Sequence, residues 1–145
     1  MKKSEYTIGQ QIQRNLLAII SLVVAISALS YNTWRNETSE ENRNIRVASF
    51  EILIQLGKLQ LVTDYAHYDK NSEQGNPITG WGHVAIIEDL SFLMPSPFSK
   101  MASDLKQVWS DNWQNLGKDK NSVKHITNAI NAMRRTVKAQ LKTIN

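Results

Sequence analysis

The chain has 145 residues, with 17 Lys and Arg against 13 Asp and Glu, a net charge of +4 and no cysteine. That length leaves room for one small domain of about 110 residues beside any anchoring segment. The missing cysteine excludes a disulfide framework, a thiolate metal site and a Cys nucleophile.

The first element in chain order is LLAIISLVVAISAL, residues 16–29, which carries no charge and only Ser21 and Ser27 as polar interruptions. Extended to Trp34 it approaches the ~20 residues that a helix needs to cross the hydrocarbon core. It reads as a transmembrane signal anchor over residues 15–34, after a short cytoplasmic tail at 1–14. Tyr31, Trp34 and Arg35 stand where a membrane interface places aromatic and basic side chains. A cleaved signal peptide is the competing reading, with Lys2, Lys3 and Arg14 before the apolar core and Ala28-Leu29-Ser30 as the site. Neither Pro nor Gly occurs between Asn15 and Arg46, so the helix should run on past any cleavage point, which favours the anchor. A segment apolar on every face also argues against a core helix of a soluble domain.

Orientation rests on Lys and Arg near the segment, and these tie: Lys2, Lys3 and Arg14 before it, Arg35, Arg43 and Arg46 after it. The short basic tail tips the reading toward a cytoplasmic N-terminus. On that reading the chain is a single-pass protein of the bacterial inner membrane, with residues 35–145 on the extracytoplasmic side.

Beyond the anchor the helix should continue to about Tyr68. Ile45, Ala48, Ile52, Leu56, Leu59, Thr63 and Ala66 alternate spacings of three and four, which is one helical face. A second apolar stripe, Val47, Phe50, Ile54, Leu61 and Tyr65, flanks it. So wide an apolar arc predicts burial on more than one side, against the later helices or a second copy of the chain. An irregular loop over about 69–82 follows, rich in turn formers and closed by Gly80-Trp81-Gly82. A short apolar helix is expected over His83 to Met94, ended by Pro95-Ser96-Pro97. The next helix begins near Ser99 and carries Met101, Leu105, Val108 and Leu116, with Gly117 as its stop. After a loop at 118–121, Ser122 is the expected N-cap of a final helix. Its seam is Val123, Ile126, Ile130, Met133, Val137, Leu141 and Ile144.

No segment alternates with period two, so the expected class is all-α. The architecture is an N-terminal transmembrane helix continuing into a small antiparallel helical bundle of three long helices and one short one.

Chemical signatures are sparse. No serine-nucleophile, phosphate-loop, dinucleotide or His-Glu-x-x-His motif occurs. Asp64 and His67 share a helical face, but metal centres normally need three or four ligands, so neither metal nor cofactor is expected. Glu88 and Asp89 are adjacent and diverge by about 100° on a helix; one of them is expected either to cap a helix or to pair with a basic residue of the last helix. Tyr65, Tyr68, Trp81 and His83 bracket the loop and form the candidate contact for a ligand or partner. Residues 118–145 carry seven Lys or Arg against the single acid Asp119. Lys124, Arg134, Arg135, Lys138 and Lys142 form a basic face suited to anionic headgroups or an acidic partner.

The function expected from these features is a membrane-anchored interaction or scaffold module without catalytic activity. Its partners are the lipid bilayer and either another protein or a second copy of itself. Nucleic acid is not expected for a domain outside the cytoplasm. A small sensory or ligand-binding ectodomain acting through a partner is the alternative, and reversed topology would give a cytoplasm-facing tethered adaptor.

Overall fold

The computed structural model describes residues 7–144, and every regular element among them is helical. The elements are α1 (Ile8–Arg14), α2 (Leu16–Asp64), a π-helical turn (Tyr65–Asp69), α3 (Pro77–Ser91), α4 (Phe98–Asn112), a 3-10 turn (Trp113–Asn115) and α5 (Lys120–Thr143). Lys2 and Lys3, counted above for topology, lie outside the described residues. The chain divides into two compact units, Met1–Glu41 and Asn42–Asn145.

In the N-terminal unit, α1 is set off from α2 by a single turn residue, Asn15, whose N–H donates to the carbonyls of Gln11 and Ile12. The apolar stretch of α2 lies entirely at the surface: Leu17, Leu22, Val24 and Leu29 are all exposed. Ser21 Oγ donates back to the Leu17 carbonyl at 2.8 Å.

In the C-terminal unit the inner stripe of α2 is buried as its periodicity predicts. Ile52, Leu56 and Leu59 have no exposure, and Ala48 and Thr63 at most 1%. They meet Val84 and Ile87 of α3, Phe98, Leu105 and Trp109 of α4, and the α5 seam Val123, Ile126, Ile130, Met133 and Val137 in a single core. Fully burying side chains of this size stabilises by roughly 1.5–3 kcal/mol each, before the opposing chain entropy. α4 packs against both α3 and α5. Gln60 Nε2 of α2 donates to Thr127 Oγ1 of α5 at 3.1 Å.

Several boundaries differ from expectation. The irregular segment is shorter than 69–82, because α3 already begins at Pro77. Asn76 caps it by accepting from the Ile78 N–H, and proline at the first helical position costs no hydrogen bond. Gly80-Trp81-Gly82 therefore lies inside a helix rather than in a loop. The reason is packing: a Cβ on Gly80 would run into Cζ2 and Cη2 of Trp109. With α3 and α4 both 15 residues long, the division into three long helices and one short one does not hold.

α3 ends at Ser91, short of Met94, and α4 ends at Asn112, well before Gly117. The Asn112 side chain donates to the Val108 carbonyl at 2.7 Å, and the 3-10 turn then tightens the chain. The cap of α5 is Asp119, not Ser122. Its carboxylate accepts from the N–H groups of Asn121 and Ser122 and from Ser122 Oγ, leaving Ser122 as a buried residue of the first turn. The second stripe of α2 is not covered within the chain: Val47, Phe50, Ile54 and Leu61 are exposed.

Candidate functional site

The end of α2 is closed by a compact turn. Lys70 takes the left-handed conformation (φ 50°, ψ 30°) and its N–H donates back to the Tyr65 carbonyl. Asn71 Oδ1 then accepts from the N–H groups of Glu73 and Gln74. Gly75 is required here, since a Cβ would strike the backbone of Ala66 and Asn71. His67 joins this turn to the end of the α4 connection, its Nδ1–H donating to the Leu116 carbonyl at 2.8 Å. That bond holds His67 as a structural fastener. Among the described residues no group of three or more His, Cys, Asp or Glu could hold a metal ion.

The four side chains expected at a contact site do not converge. Tyr65 is half-buried. Tyr68 is exposed, with its ring edge-on to His67 at 4.8 Å between centroids. Trp81 is half-buried against the core from the first turns of α3. His83 turns toward α2 instead, where its Nδ1–H donates to Gln55 Oε1 at 2.7 Å. Gln55 in turn donates through Nε2 to Glu51 Oε1 at 2.6 Å, so a polar chain Glu51–Gln55–His83 crosses from α2 to α3. Burial and the neighbouring Lys58 charge hold the His83 imidazole below its ordinary pKa. With its Nδ1–H committed to Gln55, the neutral ring carries its unprotonated nitrogen at Nε2.

An open cleft of about 350 Å³ lies beside the Lys70–Pro77 turn, lined by Ala66, Lys70, Trp113 and Lys118 among others. None of the four expected contact residues lines it. Its cationic rim, Lys70 and Lys118, and its aromatic wall, Trp113, come from residues remote in sequence, and no local pattern marks them as one site.

The expected pairing of Glu88 with the last helix is replaced by an ion pair to Lys106 of α4 at 2.7 Å. On α5, Lys124, Arg135, Lys138 and Lys142 are exposed, and Arg134 is half-buried with a hydrogen bond to Asn131 Oδ1 at 3.2 Å. The ion pairs among the described residues are Lys100–Asp104 and Lys106–Glu88, so this basic face has no carboxylate partner there.

In the N-terminal unit Tyr31 and Trp34 are exposed, with ring centroids 6.0 Å apart, and Arg35 follows them. One helix near the N-terminus is long and apolar enough to cross a membrane, and none of its apolar window is buried. Comparison with known proteins finds no matching family model, no similar curated sequence and no similar solved structure.

Proposed function

We propose that the chain is a membrane-anchored helical interaction module of the bacterial envelope, acting by binding rather than catalysis. The observation that carries this reading is the wholly unburied apolar window of α2 beside a C-terminal unit that closes its own core. Apolar surface on that scale is stable in a bilayer, not in water. Tyr31, Trp34 and Arg35 supply the interfacial band at its C-terminal side. On this proposal the short basic N-terminal tail faces the cytoplasm and Asn42–Asn145 lies on the outer side. The polar groups that could have carried chemistry serve structure: His67 fastens a turn and His83 closes the chain to Glu51.

Cysteine labelling tests anchoring and topology together, since the chain holds no cysteine of its own. Single cysteines at the exposed positions Ser72 and Ser103 are treated with a membrane-impermeant maleimide in spheroplasts, before and after lysis. Labelling of intact spheroplasts in the membrane fraction is expected. Labelling only after lysis makes the protein a cytoplasm-facing tethered adaptor, and recovery in the soluble fraction refutes the anchor.

A second reading, a small ligand-binding ectodomain signalling through a partner, draws on the cleft between Lys70, Trp113 and Lys118. It requires thermal stabilisation by a small anion such as inorganic phosphate, lost in Trp113→Ala.

A further inference from the structure

The outer face of α2 in the C-terminal unit has three properties that its own fold does not explain. Its apolar side chains are open to solvent: Val47 is 62% exposed, Phe50 54%, Ile54 50% and Leu61 53%. They lie on the side of the helix away from Ile52, Leu56 and Leu59, so no adjustment of the core could cover both sets. Their spacing, with Gly57 included, is 3, 4, 3 and 4, the repeat that lets one helix seat against another along its length. Gly57 itself is unexplained. Glycine in a helix interior is destabilising relative to alanine, yet a Cβ here would meet nothing within 4 Å. A Cβ at Gly57 would project into open space in line with the exposed stripe.

We infer that this face pairs with the same face of a second copy of the chain, the two α2 helices running parallel and in register. Charge identifies the occupant. Arg46 flanks the stripe on one side and Glu51 on the other. In a parallel pair Arg46 of one copy reaches the partner's Glu51, five residues along, and the two-fold axis makes this contact twice. The Glu51 carboxylate bonds internally to Gln55 through one oxygen and retains lone pairs for a guanidinium. An antiparallel pair would set Glu51 against the partner's Lys58 instead. Anchoring both chains by the same end in one bilayer selects the parallel sense, and in this respect the inference rests on the proposed function. Confinement to one membrane also raises the effective concentration of the two faces. Between them, the side chains of Phe50, Ile54 and Leu61 exclude water while the paired Gly57 positions let the backbones approach.

The test uses the full-length chain in native membranes, extracted with alkaline carbonate to read anchoring separately, then oxidised with copper phenanthroline. Single variants Val47→Cys, Ile54→Cys and Leu61→Cys are each expected to give a disulfide-linked homodimer, whereas Ser103→Cys on α4 is not. Arg46→Glu should cut the yield of the Leu61→Cys dimer several-fold, and adding Glu51→Arg should restore it. Crosslinking of Ile54→Cys alone, with Val47→Cys and Leu61→Cys linking only to each other, overturns the parallel arrangement. Monomers throughout, or crosslinks to a different protein, overturn self-pairing. A chain extracted by carbonate yet crosslinked at all three positions would refute the anchor and leave the pairing standing.

Discussion

Replacing Gly80 with alanine sets two opposed terms against each other. In a helix the exchange relieves the conformational cost of glycine, a gain of about 1 kcal/mol. At Gly80, however, the new Cβ meets Cζ2 and Cη2 of Trp109, with Cε2 at 3.1 Å. The indole cannot step aside, because it has no exposed surface and sits among Phe98, Leu105 and Ile87 in the core. Forcing a methyl group into a well-packed core costs about 1–3 kcal/mol, occasionally more, and a rigid ring on the receiving side places this site at the upper end. The net expectation is a loss of about 1–2 kcal/mol, which at about 4–8 °C per kcal/mol for a domain of this size lowers Tm clearly. Gly82, two positions on in the same helix, has nothing within 4 Å of the added carbon. There the propensity gain stands alone, and Gly82→Ala should raise Tm. Thermal melts followed by far-UV circular dichroism, with both variants in the same detergent, separate the two terms. If Gly80→Ala melts at or above the wild-type temperature, α3 does not pack on Trp109 as described and the reasoning fails.

Trp109→Ala leaves a ring-sized void between α3 and α4; a cost of about 3–5 kcal/mol is expected, a large share of a typical 5–15 kcal/mol, and limited proteolysis should show the domain opening. Tyr68→Ala, at an exposed ring, should stay within about 0.5 kcal/mol of wild type in urea titrations. His83 titrates below the ordinary histidine value of 6.5, so the unfolded chain binds the proton more readily. Stability should therefore fall as pH drops from that value toward the depressed native one, and His83→Gln should flatten this slope in denaturation midpoints measured across the range. The Asp119 carboxyl, held below its ordinary 3.8 by the Asn121 N–H and Ser122 bonds, contributes stability above that value and loses it as pH falls through the native one. Asp119→Ala should lower Tm at neutral pH, and Asp119→Asn should keep most of the cap.

The inner stripe of α2 and the seam of α5 were legible because period and burial coincide: each is apolar every three or four residues, and most of those residues lie in the core. The start of α3 was hidden because glycine at 80 and 82 argues locally for a turn. Only the approach of Trp109, twenty-nine positions later in the chain, shows that the missing side chain serves helix packing. Ser122 is the cap expected from the sequence, but Asp119 three positions earlier is an equally good capping residue by type. The two-acceptor geometry at Asp119 decides it. The contact from His83 to Gln55 spans 28 positions and carries no local signal. The outer stripe of α2 was read as apolar, but its burial was inferred from width alone. Here α3, α4 and α5 all gather on the opposite face, leaving no element to cover it.

The four tryptophans occupy four different surroundings. Trp34 stands 62% exposed beside the apolar segment, Trp81 rests half-covered on the outside of the core, Trp109 is wholly enclosed, and Trp113 walls the cleft. The molecule thus carries its own set of optical probes. With three of the four replaced by phenylalanine in turn, emission from the one that remains reports separately on the apolar segment, on the α3 surface, on the interior and on the cleft. Quenching by a brominated lipid should single out Trp34, while acrylamide should reach Trp109 last.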